Sequence, residues 1–254
     1  MKKAILVGVI LYVMTVNESA VMAALLHHWD FTQYSNGTPL SSVNDIINGV
    51  NFDTGLDEQA IIQNGALDYT PMVGTYFATA DVVADITSYR WTIDFESFVA
   101  VEDAIGDGRR MHFGLYSSTQ DILSNVHPTS SVAQIRFIST NPPSEYLLAR
   151  RFTVLGDSGD ISLASTLDDF QLSFLINEDS YEVTITDDGK TRVLFAGSDT
   201  RPEDLASVRH FILSGLAFNG GNVQARIRSI QITPEPATLL LFGLGGLALR
   251  RRKS

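Results

Sequence analysis

Asp94 and Glu96 are the carboxylates whose spacing comes nearest to acid–base chemistry. They stand two apart in Arg90 to Phe98, a run that alternates polar and apolar residues, and on an extended strand residues two apart share a face. Two carboxyls about 5 Å apart on one face are what retaining hydrolysis of a glycosidic bond needs, one as nucleophile and one as acid–base. The same alternation also has a plainer meaning, with Trp91, Ile93 and Phe95 toward a core and Asp94 and Glu96 toward water.

Other constellations are weaker. His27 and His28 are adjacent, and neighbours on a strand point to opposite faces, so they make a poor metal pair. His112, His127 and His210 have no ligand-like spacing. The chain holds no Gly-x-Ser-x-Gly elbow, phosphate-binding Gly-rich loop or His-Glu-x-x-His. It has no cysteine, which excludes disulfides and thiol chemistry. Two acidic, glycine-bearing segments suit a hard cation better: Glu102 to Gly108, and Gly156 to Asp160. Calcium takes several oxygen ligands, and Asp103, Asp107, Asp157 and Asp160 are the candidates. Asp and Gly also belong in turns for backbone reasons alone. Tyr34, Tyr76, Tyr89 and Tyr116 lie in or near predicted turns, where an aromatic face can stack on a sugar ring or close the end of a core.

The elements that must position these residues are strands. Short apolar or alternating runs are split by turn residues almost throughout residues 25–232. Leu25 to Thr32 comes first. Ala60–Ile62 and Ala66–Tyr69 flank Asn64-Gly65, a hairpin signal. Runs at 90–98, 111–116, 134–138, 146–152 and 170–176 follow. Tyr181 to Ile185 turns at Asp187-Asp188-Gly189 into Arg192 to Phe195, and 211–216 and 223–232 close the body. Val82 to Ile86 reads as strand or loop. Only Pro202 to Val208 suggests a short helix. About a dozen strands without helices between them imply an all-β, antiparallel two-sheet sandwich.

The two ends differ from the body. Met1-Lys2-Lys3, an apolar run to Val16 and small residues near Ala23 have the form of a signal peptide over residues 1–24, which implies signal peptidase as a partner. Residues 233–254 hold Pro234-Glu235-Pro236, the uncharged Ala237 to Leu249, then Arg250, Arg251, Arg252 and Lys253. As a helix, residues 237–249 span roughly 20 Å, short of a hydrocarbon core of roughly 30 Å. Flanking basic side chains can extend such a span by snorkelling and fix its cytoplasmic side. The predicted architecture is therefore a sandwich flanked by an N-terminal signal helix and a C-terminal transmembrane helix. Trimming both ends removes six of 18 basic and two of 29 acidic residues, leaving 12 against 27 and a net charge of −15. Such a body repels nucleic acid and anionic lipid.

The tail resembles the PEP-CTERM sorting signal of bacterial exported proteins, with tripeptide, Leu/Gly helix and basic end in order. The resemblance implies recognition of Pro234, Glu235 and Pro236 by an exosortase, a membrane protease-transpeptidase, after passage through the membrane. It also implies delivery to the cell surface or extracellular matrix. In the body, His28-Trp29-Asp30-Phe31, Trp91 to Phe95, Phe170 to Phe195 and Gln224 to Ile230 resemble the opening, central, paired and returning strands of concanavalin A-like, laminin-G-like jelly rolls. That resemblance implies a lectin-like module that binds extracellular polysaccharide without catalysis. The alternatives are a structural or adhesive surface protein that binds other proteins, and a diverged glycan hydrolase. Laminarinase-type relatives carry three alternating carboxylates, whereas Thr92 and Phe98 flank the pair here. Asp94 and Glu96 are therefore expected on the solvated face, with no catalytic residues assigned.

Overall fold

Both predicted hairpin turns form by left-handed backbone. Asn64 and Gly65 have φ of 49° and 74°, and Asp188 and Gly189 have φ of 50° and 69°. Positive φ at both central positions gives the tight turn whose twist matches its strands. The computed structural model describes residues 26–54, 60–69, 74–82, 88–100, 110–119, 131–139, 145–152, 156–164, 166–177, 180–198, 205–217 and 223–234. Both predicted terminal helices and the acidic segment with Asp103 and Asp107 lie outside these residues, as do Pro202 to Asp204 of the helix expected at Pro202 to Val208, of which Leu205 and Ala206 are helical. Among the described residues, no helix is long and apolar enough to cross a membrane.

The strands are β1 (His27–Asp30), β2 (Ile61–Gln63), β3 (Ala66–Tyr69), β4 (Gly74–Asp81), β5 (Ser88–Ala100), β6 (Arg110–Tyr116) and β7 (Ser131–Ser139). They continue as β8 (Glu145–Phe152), β9 (Gly156–Ala164), β10 (Thr166–Asn177), β11 (Tyr181–Asp187), β12 (Lys190–Gly197), β13 (His210–Ala217) and β14 (Val223–Pro234). One sheet runs β12-β11-β10-β5-β14-β3-β2, with β1 also on β14; the other runs β4-β13-β6-β7-β8-β9. The first and last strands pair antiparallel, Trp29 opposite Ile230.

The core lies between the sheets. Trp91, Ile93 and Phe95 on β5 are fully buried, as the alternation predicted, and Tyr89 is buried with them. The phase then changes, because Phe98 is buried too. The register explains it: Ser97 and Phe95 face Asp168 and Phe170 on β10, which leaves Glu96 and Asp169 without cross-strand partners. Asp169 takes a φ of 49°. This bulge turns Phe95 and Phe98 inward together, where Phe95 stacks on Phe170 at 4.6 Å and meets Phe98 edge-on at 6.1 Å.

Two elements differ from the sequence reading. The strand after the first hairpin is β4, starting at Gly74, which the sequence reading did not name; beyond Val82, the stretch to Ile86 lies outside the described residues. The β4 core residues Ala78 and Ala80 are small, with little strand propensity of their own. Gly156 to Asp160 is not a loop but the start of β9, with Asp160 opposite Ala149 and Asp157 opposite Arg151. As the last strand of its sheet, β9 tolerates the polar, turn-like residues that edge strands carry.

The pairing of β6 with β7 is close enough to exclude a side chain at Gly114. A Cβ there would overlap the carbonyl oxygen of Ala133 and the Cα of Gln134. Gly114→Ala is expected to lower stability by about 1–3 kcal/mol, as overpacking does. Denaturant unfolding measures this, and an unchanged midpoint would contradict the β6–β7 register.

Candidate functional site

An open polar pocket of about 540 Å³ sits at the β4 end of the six-stranded sheet, lined by Val50, Asn51, Asp53, Thr79, Asp81, Thr119 and His210. Four chain segments build it. Thr79 and Asp81 come from β4 and His210 from the neighbouring β13, directly opposite Asp81. Ala78 and Ala80 between them belong to the core, so alternation turns Thr79 and Asp81 to the outer face. Thr119 follows β6. The segment with Asn51 and Asp53 is stitched to β4 by paired backbone hydrogen bonds, Asp53 N–H to Thr79 O at 2.7 Å and Thr79 N–H to Asp53 O at 2.8 Å.

A buried carboxylate holds that segment in place. Asp45 is 2% exposed. It accepts from the backbone N–H groups of His28 at 2.6 Å, Ile47 at 3.0 Å and Asn48 at 2.8 Å, and lies 3.0 Å from His27 Nδ1. Its own N–H donates to Val50 O at 2.8 Å. The Trp29 indole N–H donates to the same carbonyl at 2.9 Å. The turn leading to Asn51 is thus tied to β1 by one carboxylate and one indole.

The pocket offers hydrogen-bonding chemistry. Asn51, Asp53, Asp81 and Thr119 are exposed, and His210 is half-buried. His210 Nδ1 and Asp81 Oδ1 are 2.9 Å apart. Two carboxylates, an amide, hydroxyls and an imidazole can donate to and accept from a polyhydroxylated ligand. Beyond the pocket the same outer face carries a buried polar network beside the apolar pair Tyr116 and Ile212. The Tyr116 hydroxyl donates to Gln134 Oε1 at 2.9 Å, and Gln134 Nε2 lies 3.4 Å from His112 Nδ1. All three residues are buried.

Of the four sequence-predicted sugar-binding tyrosines, two are fully covered. Tyr89 and Tyr116 have no exposed surface, so neither ring offers a face to a sugar; each fills a strand position. Tyr34 is half-buried, and its hydroxyl both donates to Asn44 O at 3.2 Å and accepts from Asn44 N–H at 3.0 Å. Asn44 is bridged to the pocket residue Asn51. Tyr76 lies in β4 opposite Gly215, with its side chain outside the described set. The backbones of Asp157 and Asp160 lie in β9, and Asp103 and Asp107 lie outside the described residues. Among the described residues no group of three or more His, Asp or Glu side chains could hold a metal ion.

Asp94 and Glu96 fall where the alternation placed them, half-buried on the outer face of the eight-stranded sheet. Arg226 spans Glu96 with Nε at 3.1 Å and Nη2 at 3.2 Å. Arg228 bonds Asp169 and lies 3.6 Å from Asp94. Burial raises the Asp94 pKa, with Arg228 pulling the other way and Asp169 adding to the rise. Each carboxylate is committed to an arginine, an arrangement that closes the bulge.

The pocket residues escaped the sequence reading because they come from four distant segments. Only the topology brings Asn51, Asp81, Thr119 and His210 together.

The two sheets and their strand order form a legume-lectin-like, concanavalin A-like jelly roll. The fold is similar to the carbohydrate recognition domain of Emp47p, at 13% identity and a TM-score of 0.53, over 78% of this chain and 94% of that one. It is similar to the exoplasmic/lumenal domain of VIP36 in a Ca2+/Man2-bound form, at 11% identity and a TM-score of 0.53, over 79% and 88%. The metal-free form of that domain matches at 11% identity and a TM-score of 0.52, over 78% and 90%. At these identities the likeness is one of fold. Residues 233–253 match the PEP-CTERM protein-sorting motif. Among curated proteins, no sequence matches the chain.

The anchor beneath the pocket titrates. Burial pushes the His27 imidazole below its ordinary value, against the charge and hydrogen bond of Asp45. An unfolded imidazole takes its proton at about pH 6.5. Below that pH the unfolded chain binds more protons than the folded one, so acid favours unfolding until the folded pKa is passed. Stability is expected to fall as pH drops below about 6.5, with a limiting slope of about 1.4 kcal/mol per pH unit from this one group. His27→Asn should flatten that part of the profile. Equal slopes in the two proteins would remove His27 as the titrating group.

Proposed function

We propose that the chain is an exported bacterial surface or extracellular-matrix protein, sorted by an exosortase through residues 233–253, whose sandwich binds polysaccharide without catalysis. The C-terminal match to the PEP-CTERM motif is the observation that carries the sorting. Pro234, Glu235 and Pro236 serve as its recognition element. The apolar stretch 237–249 holds the chain in the membrane before processing, and Arg250, Arg251 and Arg252 mark the cytoplasmic side. On this reading the N-terminal segment passes through signal peptidase.

The polar pocket is the observation that supports binding. Carboxylate, amide and hydroxyl groups arrayed around an open cavity suit adjacent sugar hydroxyls, because each can pair with a donor and an acceptor. Emp47p, one of the folds it resembles, is described as a carbohydrate recognition domain. Tyr34, linked to Asn51 through Asn44, is the aromatic residue best placed to flank a ligand there.

Two experiments test the halves separately. Glu235→Ala, or removal of Arg250 to Lys253, is expected to leave a tail-bearing form in the membrane fraction. Release of that variant like wild type would end the sorting reading. For the body, a polysaccharide array should show saturable binding that Asn51→Ala with Asp53→Asn reduces at least tenfold. Running the array with chelator decides the role of calcium: loss of binding places the ion in or beside the site, and retention removes it from binding. No binding in either condition, with partner association insensitive to sugar, would favour an adhesive protein that binds other proteins.

A further inference from the structure

The polar pocket carries charge of one sign. Asp53 and Asp81 are its two carboxylates, His210 is its one imidazole, and none of its described lining residues is a lysine or arginine. Two carboxylates outweigh one imidazole in either of its protonation states. Arg209 stands next to His210 in the chain, but its guanidinium turns back to the carbonyls of Ala206 at 2.9 Å and Val208 at 2.6 Å.

Three acceptor groups line the cavity together. Thr79 and Asp81 stand two apart on one face of β4, about 7 Å along the strand, and Asp53 is bound backbone to backbone to Thr79. The Asp81 side chain is 84% exposed and meets His210 through Oδ1, which leaves acceptor capacity on the carboxylate. Thr79 is 8% exposed, and its hydroxyl has no hydrogen bond among the described residues. A primary ammonium carries three N–H donors and no acceptor, the complement of two carboxylates and one hydroxyl. Such charge-assisted bonds are about twice as strong as neutral ones. A metal ion fits less well. Calcium takes about six to eight oxygen ligands, and among the described residues no group of three His, Asp or Glu side chains could hold one.

We propose, resting on the sugar-binding reading above, that the pocket selects a cationic polysaccharide, one whose hexosamine units carry free amino groups, over neutral and uronate polymers. The Asp53 and Asp81 carboxylates and the Thr79 hydroxyl receive the ammonium. Asn51 and Thr119 pair with hydroxyls of the same or the next sugar. The chain's net charge of −11 favours the same choice, because it draws cationic polymers and repels uronates at long range. The pocket adds the local, directional contacts that net charge lacks.

The test measures binding of the full chain, purified in a neutral detergent, to a glucosamine tetramer with free, protonated amines, to its fully N-acetylated counterpart, to a uronic-acid tetramer and to a tetralysine peptide. The amine tetramer is expected to bind at least about tenfold tighter than the acetylated one, the worth of one hydrogen bond to a charged group. Asp53→Asn and Asp81→Asn should each bring that ratio most of the way to one. Asp187→Asn removes the same charge from an exposed position on the other sheet and should leave the ratio unchanged. Equal or tighter binding of the acetylated or uronate tetramer would overturn the inference and leave the sugar reading intact. So would a preference that Asp187→Asn weakens as much as Asp81→Asn does, since net charge would then account for it. Tetralysine bound as tightly as the amine tetramer would overturn it in favour of a basic protein segment. Binding of none of the four would overturn the inference, and with no hit on the polysaccharide array the sugar reading as well.

Discussion

The structure depends on one strand pairing. β14 lies between β5 along its whole length and, on its other side, β3 at Ala225–Ile227 and then β1 at Ser229–Ile232. A single strand thus joins the hairpin of β2 and β3, the opening strand, and the long aromatic strand of the core. Ala225, Ile227, Ile230 and Ile232 are all fully buried, each isoleucine contributing about 1.5–3 kcal/mol by burial. Because these contacts link the two ends of the body, the eight-stranded sheet cannot close until the last strand has docked.

The other features follow from that closure. Pairing with β14 sets β1 in place, and β1 carries Trp29, which is stacked between His27 and Phe211 and touches Phe52. Trp29 and Asp45 in turn hold the Val50 carbonyl, and the segment that follows supplies Asn51 and Asp53 to the pocket. The bulge in β5 answers to β14 too. Glu96 and Asp169 lack partners in the β5–β10 register, as Arg228 does in the β5–β14 register. Arg226 and Arg228 on β14 draw these acids together. Half-exposed ion pairs stabilise little by themselves; here they fill the positions where the ladder is interrupted.

Much of the fold was legible in the sequence where local and tertiary preferences agree. Asn64-Gly65 and Asp188-Gly189 demand positive φ whatever surrounds them, and Trp91, Ile93 and Phe95 alternate because one face is buried. The likeness of Trp29 and Ile230 to first and last strands that lie together is realised as a direct pair. The reading failed where tertiary contacts override composition. β9 looks like a turn because Gly156, Asp157 and Asp160 are turn formers, yet its pairing with β8 makes it an edge strand. Tyr89 and Tyr116 sit close to turns in sequence, yet both rings are fully buried. The pocket was invisible for a different reason: its residues are scattered along the chain, and no spacing rule connects Asn51 with His210.

Amide hydrogen exchange along β14 tests the keystone role most directly. If β14 closes the sheet, the amides of Ile230 and Ile232 should exchange only through global unfolding, at the slowest rate in the protein. They should remain that slow while the pocket segment at Asn51 opens locally. Fast exchange at Ile230 and Ile232, with β5 and β10 still protected, would show that the last strand is a detachable edge and contradict its role.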